Sequence, residues 1–394
     1  MFRRNQSLSR FFAFFLGSFL FFNALTACSQ NASAPNGNTA QNQNRPTTNA
    51  STAFPAAQGC KNIGILLPET DTSTRWESYD RPLLEQEIKK ALPDAQIQYA
   101  NANNNADAQQ NQAESALTRG ACILVIGAND SQKASAIVQS AKTTGVPVIA
   151  YDRLIQDNDL AYYVSFDNVR VGEMQGQYII DQYKKGAYGL KRGANVAMLN
   201  GSRTDNNALQ FREGALKVLQ PYFDRGELNL VFDQYTPNWD LAKAQSLTEG
   251  VLTREKNNVQ AIYAASDILS TGAIAALRAQ NLNGKVLVTG QDANASNIQA
   301  ILAGDQSMTI YKPLINIATA AAQIVAALSN GTDTATLTNA TTKTTEGGQI
   351  LSALSKPQLV DASNIQDTVI KDGFLTKEQV CQGLPTGAGQ DLCS

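Results

Sequence analysis

No histidine occurs among the 394 residues. That absence excludes Ser-His-Asp and Cys-His nucleophilic catalysis, histidine-ligated zinc and histidine-based pH switching. Tryptophan is scarce, with 2 residues, as is methionine, with 4, and only 17% of the chain is charged. A formal net charge of −2 without any basic stripe leaves no footprint for nucleic acid. Long apolar runs are missing too: "FFAFFLGSFLFF", at residues 11–22, falls short of the roughly 20 residues a spanning helix needs. What is present, 43% apolar residues over this length, suffices for two domains with cores of their own.

Arg3, Arg4 and Arg10 precede the apolar run, and "LTAC" follows it at residues 25–28. The combination resembles a bacterial lipoprotein signal peptide, which implies removal of residues 1–27 and lipidation of the Cys28 thiol; an uncleaved anchor with an incidental cysteine is the alternative. Either arrangement puts the body in the periplasm or at the cell surface, held to a membrane. Residues 28–59 comprise the lipidated cysteine and then Asn, Gln, Ala, Thr, Ser and Pro, a composition that cannot bury a core and is expected to form a disordered tether. A chain of that length spans roughly 30 Å.

Four cysteines remain, Cys60, Cys122, Cys381 and Cys393, and in an exported protein an even number favours disulfides, here with three possible pairings. Cys60 precedes "NIGILL" and Cys122 opens "CILVIG". If these are neighbouring parallel strands, both cysteines lie at one sheet edge. That favours Cys60 with Cys122, and Cys381 with Cys393 as a C-terminal clasp, over four free thiols.

From Asn62 onward short β-branched runs alternate with helical patterns. "NIGILL", "AQIQYA", "CILVIG" and "VPVIAY" are each separated by an amphipathic stretch, and they read as continuous apolar runs, as strands of a parallel sheet covered on both faces do. The rhythm restarts with "AYYVSFD" and continues through "ANVAMLNG", "ELNLVFDQY", "VQAIYAAS", "KVLVTGQD" and "SMTIYKP", after which an Ala/Ile-rich helix runs from Leu314 to about Leu328. The fold class is therefore α/β: two doubly wound lobes with a cleft between them.

In open α/β sheets, ligands bind beyond the carboxyl ends of the strands. The stretch "VIAYDRLIQD" puts Asp152 and Arg153 at such an end. The other ends present Thr74, Arg75 and Trp76; Asp205, Asn206 and Asn207; Trp239; Ser266 and Asp267; Gln291 and Asp292; and Lys312. No nucleophile-and-base pair stands among them, so an enzyme is not indicated. Sugar hydroxyls both donate and accept, and this mixture of Asp, Arg, Lys and Asn serves both roles. Both tryptophans of the chain fall in the set, where flat indoles would cover the C–H faces of a sugar ring. Taken singly, each residue has a plainer reading: Asp152 and Arg153 as a surface pair, Asp205 and Asp267 as helix N-caps, the tryptophans as core.

These residues carry a resemblance to the periplasmic monosaccharide-binding proteins of ABC importers, in particular the D-xylose-binding proteins and the related multiple-sugar-binding proteins. "AYDRLI", "SFDN", "DNNA", "FREGALKVLQPY", "STGAIAAL", "GQDA", "TIYKP" and "DTVIKDGF" occur in the family's order between about Lys61 and Phe374. The resemblance implies a periplasmic-binding-protein type I fold, two Rossmann-like lobes joined by a three-strand hinge. The N-terminal lobe would comprise 61–167 plus 312–346, and the C-terminal lobe 168–311 plus 347–394. It further implies that Arg75, Asp152, Arg153, Asp205, Asn207, Asp292 and Lys312 hydrogen-bond a monosaccharide between Trp76 and Trp239, without cofactor or metal. A monomer would then deliver D-xylose or a related aldose to an ABC permease in the inner membrane, or present it to a chemoreceptor or sensor kinase. Two departures are visible: Ser266 precedes Asp267 where xylose binders carry asparagine, and the loop "LPETDTSTRW" is nearer to the multiple-sugar relatives. Cys122 and the C-terminal cysteines lie outside the family's pattern.

Overall fold

Side-chain parity explains why the first strands read as uninterrupted apolar runs. In the computed structural model, which describes residues 54–70 and 75–393, Ile63, Ile65 and Leu67 of β1 (Asn62–Leu67) enter one core layer and Leu66 enters another. The same alternation holds in β3 (Ile123–Ile126), with Ile123 and Val125 against Leu124 and Ile126, and in β4 (Val148–Tyr151), with Ile149 and Tyr151 against Val148 and Ala150. Successive side chains of a strand point to opposite faces, so a sheet with helices on both faces needs apolar residues at every position.

With β2 (Gln96–Asn101), β5 (Tyr162–Phe166), β11 (Ala340–Lys343) and β12 (Gln349–Ser355), these strands form a seven-stranded sheet in the order β11-β12-β5-β4-β3-β1-β2. All its pairings are parallel except β11 with β12. A second, four-stranded parallel sheet has the order β7-β6-β8-β9, from β6 (Ala194–Asn200), β7 (Leu228–Tyr235), β8 (Ala261–Ala264) and β9 (Leu287–Val288). A two-stranded antiparallel ribbon pairs β10 (Thr309–Tyr311) with β13 (Gln358–Val360). The chain passes between the sheets after β5, after β10 and after β12, which makes three crossings.

Two expected boundaries change. The last crossing was placed at residue 347, but Ser352 to Ser355 of β12 pair in parallel with Tyr163 to Phe166 of β5, so the strand belongs to the first lobe and the chain leaves it only after Ser355. The end of the expected tether is also ordered. Pro55–Ala57 form a 3-10 turn, Ala57 is buried, Phe54 lies against Tyr162, and the Gly59 amide donates to the Ser329 carbonyl at 2.8 Å. Small residues there fill space between the sheet and the end of the Leu314–Asn330 helix, a packing role that composition alone does not reveal. The expected signal segment, Cys28 and the tether up to residue 53 lie outside the described residues, as does Thr74. Disulfides join Cys60 to Cys122 and Cys381 to Cys393.

The second lobe depends on one close helix crossing. A Cβ on Gly172, in helix Asn168–Lys185, would lie 1.9 Å from the Phe211 carbonyl oxygen, and one on Gly214, in helix Asn206–Asp224, 1.9 Å from that of Val169. Alanine in an open helix is favoured over glycine by about 1 kcal/mol. Here the obstacle is backbone, which cannot swing aside. Gly172→Ala is expected to lower stability by about 1–3 kcal/mol in urea unfolding; a neutral or stabilising effect would show that the helices spread freely.

Candidate functional site

The site is assembled from the carboxyl ends of both sheets. Arg75, Trp76, Asp152, Arg153, Asp205, Asn207, Trp239, Ser266, Asp292 and Lys312 all border one cavity holding about 460 Å³ of space free of protein atoms. Gln291 also borders it, whereas Asn206 joins a polar seam beside it, its side chain accepting from Gln156 at 2.7 Å.

Asp152 explains the abrupt end of β4. It adopts φ +63°, where its amide donates to the Val164 carbonyl at 2.7 Å, and its own carbonyl accepts from Ser165 Oγ at 2.6 Å and Tyr163 Oη at 3.0 Å. Such a left-handed turn in a non-glycine residue persists only when its surroundings hold it. Trp239 at φ +55° and Asp292 at φ +108° sit in the same unusual region, so three cavity residues occupy sharp turns at or just beyond strand ends. Asp292 is held by its amide donating to the Ile310 carbonyl at 2.8 Å. That bond ties it to β10, immediately before Lys312 at the second crossing.

The buried charges are paired. Arg75 grips Asp80 through Nε and Nη2 at 2.8 and 2.9 Å and reaches Asp152 Oδ2 at 3.0 Å; Tyr151 Oη donates to Asp80 at 2.8 Å. Arg153 meets Glu69 Oε1 at 2.7 Å and Asp205 Oδ2 at 2.8 Å. Lys312 lies 3.1 Å from Asp292 Oδ1, with Arg75 Nη1 3.8 Å from the same oxygen. Burial opposes ionisation of Asp152, but the charges of Arg75, Lys312 and Arg153 outweigh it and hold its carboxyl below the ordinary range. At Asp205 the balance falls the other way: burial pushes it up by more than Arg153 lowers it. It has little scope as a proton donor, because its oxygens already face the Asn207 amide, the Trp239 indole N–H and Arg153.

The plainer readings and the site readings coexist at several positions. Asp205 caps the helix Asn206–Asp224 through the Asn207 amide, and Ser266 caps Asp267–Ala279 through the Leu269 amide. Asp267 is not the cap. Fully buried, it accepts from Gln306 Nε2 and Thr309 Oγ1 at 2.9 Å each and from the Asn294 amide at 2.8 Å, while its own amide donates to the Gln291 carbonyl at 2.8 Å. It therefore fixes the 291–294 turn that presents Asp292. Each tryptophan is seated rather than loose. The Trp239 ring lies on the bare Cα of Gly201, where a Cβ would come within 1.9 Å, and its edge meets Phe211 at 6.4 Å. The Arg75 guanidinium stands 4.5 Å from the centre of the Trp76 ring.

Glu69, Phe211, Ile268 and Asn294 also line the cavity, and the sequence reading missed them. Glu69 follows β1 by two residues and was legible by the strand-end rule. Phe211 is one helical turn beyond Asn207, a phase relation that points both into the same wall. Among the described residues no cluster of metal-ligating side chains exists, and no helix is long and apolar enough to cross a membrane.

A cleft between two doubly wound lobes, walled by paired charges and two indoles, defines a solute receptor of the periplasmic-binding-protein type I fold. The chain belongs to the periplasmic binding protein domain family, whose model matches residues 63–333; it is a binding protein and not an enzyme. It is 41% identical to the D-xylose-binding periplasmic protein of Escherichia coli, over 76% of this chain and 87% of that one. It is 36% identical to a multiple sugar-binding periplasmic protein of Azospirillum brasilense, over 82% and 92%. Among solved structures, an ABC transporter solute binding protein from Clostridium phytofermentans with bound β-D-glucose superposes with a TM-score of 0.74 at 30% identity, covering 81% of this chain and all of that one.

Burial pushes the Asp267 carboxyl up to about 7, against its hydrogen bonds from Gln306, Asn294 and Thr309. An acid whose folded value is raised favours the folded state at low pH. Its contribution is complete below about 4 and lost as pH rises through about 7. Asp267→Asn, neutral throughout, should therefore gain in thermal stability relative to the natural protein as pH is raised from 4 to 7. A relative loss over that window would mean that the three donors keep the carboxylate ionised.

Proposed function

We propose that this chain is an extracytoplasmic receptor that captures an aldopyranose by lobe closure and hands it to the permease of an ABC importer. D-Xylose is the first candidate, because relatives at 41% and 38% identity are D-xylose-binding periplasmic proteins. D-Glucose is the second, on the strength of the glucose-bound neighbour. Lipidation at Cys28 would hold the receptor, as a monomer, on a membrane beside its permease.

One observation carries the reading. Trp76 comes from the first lobe and Trp239 from the second, and on the wall of the cavity they share Gln291 Oε1 is buried with no hydrogen-bond donor among the described residues, while Asp292 Oδ1 is met by charge, from Lys312 at 3.1 Å. Lys312 sits within ion-pair range of Asp292 but off the hydrogen-bonding direction. Buried acceptors left unmade cost roughly 1–3 kcal/mol each, a penalty that ligand hydroxyls would relieve. Asp292, with a side chain 18% exposed against 3–4% for Asp152 and Asp205, is the acid most open to the cavity.

Because Trp76 and Trp239 are the only tryptophans, emission from the full chain reports on the cavity alone. Titration with D-xylose, D-glucose, D-galactose, L-arabinose and D-ribose should change emission saturably for at least one sugar, with xylose or glucose the tightest. Silence with all five, repeated by calorimetry, would rule out an aldose. Asp292→Ala should weaken the best sugar by about 1.5–3 kcal/mol, or roughly ten- to hundredfold; an unchanged Kd would remove Asp292 from the contact set.

A further inference from the structure

Arg153 is bracketed by two carboxylates, and each of these also holds an indole. Glu69 Oε1 accepts from Arg153 Nη2 at 2.7 Å and from Trp76 Nε1 at 3.3 Å. Asp205 Oδ2 meets Arg153 Nε at 2.8 Å and accepts from Trp239 Nε1 at 3.2 Å. Arg153 Nη1 donates to the Ala128 carbonyl at 3.3 Å, which fixes the plane of the guanidinium. Trp76, Glu69 and Arg153 belong to the first lobe, Asp205 and Trp239 to the second. The result is one continuous buried chain, indole to carboxylate to guanidinium to carboxylate to indole, that crosses the cleft.

We propose that Glu69 is a positioning residue for sugar recognition, holding Trp76 and Arg153 in register so that the two indoles align when Asp205 docks on Arg153. The role rests on the aldose reading above and deepens it. Glu69 is 2% exposed, at the mouth of the loop after β1. Without its carboxylate, the Trp76 N–H loses its acceptor and Arg153 keeps Asp205 as its remaining ion pair, with Asp152 acting on it by charge, so that it can be drawn toward the second lobe. An amide at the same position preserves an oxygen for the indole but not the charge opposite Arg153. Buried charged hydrogen bonds are geometrically demanding, so the two substitutions separate orientation from electrostatics.

The test uses the full chain with Glu69→Gln, Glu69→Ala, Trp76→Phe and the Trp76→Phe/Glu69→Ala double variant, titrated with D-xylose and D-glucose by calorimetry. Tryptophan emission of the sugar-free proteins is recorded alongside, and thermal unfolding confirms that each is folded. The expected result is a graded loss: a few-fold weaker binding in Glu69→Gln, at least tenfold in Glu69→Ala, and altered sugar-free emission in Glu69→Ala. Where phenylalanine already lacks the N–H, Glu69→Ala should cost at least threefold less than it does beside tryptophan, the coupling a double-mutant cycle measures. Equal losses in Gln and Ala with unmoved sugar-free emission, or losses that simply multiply in the double variant, would overturn the positioning role. If the natural protein binds none of the five sugars while Glu69→Ala still shifts the emission, the aldose reading falls and the carboxylate frame stands.

Discussion

A charge buried without its partner is among the costliest defects a fold can carry, several kcal/mol for each ion. The cleft gathers Arg75, Arg153 and Lys312 with Glu69, Asp80, Asp152, Asp205 and Asp292, most of them almost sealed from water. Much else in the site follows from satisfying that group. Asp152 takes its strained turn because three donors wait for its carbonyl, and Asn207 spends its amide on the Asp152 carbonyl and carboxylate, reaching across from the other lobe. The helix Asn206–Asp224 starts at Asp205 because that carboxylate serves as cap and as counter-ion together. Packing holds the lobes together separately; pairing decides how they meet.

Hydrogen-bonding groups in such a network are already directed before any ligand enters. Asp80 and Tyr151 lie behind Arg75, and Asp267 lies behind the turn of Asp292. Preorganisation of this kind reduces what ordering would otherwise subtract from affinity. The strongest unspent capacity collects around Asp292 and Gln291, beside the crossing that carries Lys312. The turn that presents Asp292 and the second crossing are thereby tied together by one backbone hydrogen bond, from the Asp292 amide to the Ile310 carbonyl.

Much of this was legible in the sequence because buried parallel strands announce themselves as apolar runs, and whatever polar residue ends such a run must face either solvent or a cleft. Ten residues read from such ends, aided by family order, border one cavity in the structure. Glu69 escaped because an acid after Pro68 reads as ordinary loop chemistry, and its importance lies in Arg153, 84 positions away. Phe211 escaped because an aromatic on an amphipathic helix reads as core. The assignment of β12 failed for a different reason: nothing within "QILSALS" distinguishes a strand of one lobe from a strand of the other, and its partner β5 is far off in the chain. Asp205 shows the limit for electrostatics, since neither its burial nor its pairing with Arg153, far off in the chain, is visible in sequence.

Phe54 and the turn behind it have a mechanical meaning. The Gly59 amide and the Cys60 carbonyl are both bonded to Ser329, and Cys60 is linked covalently to Cys122 beside it. Every one of these attachments is in the first lobe. A pull arriving along the backbone at Phe54 is therefore shared out among β1, β3 and the Leu314–Asn330 helix, and none of it passes through the three crossings. Among the described residues, the segment before β1 is thus fastened to the first lobe alone.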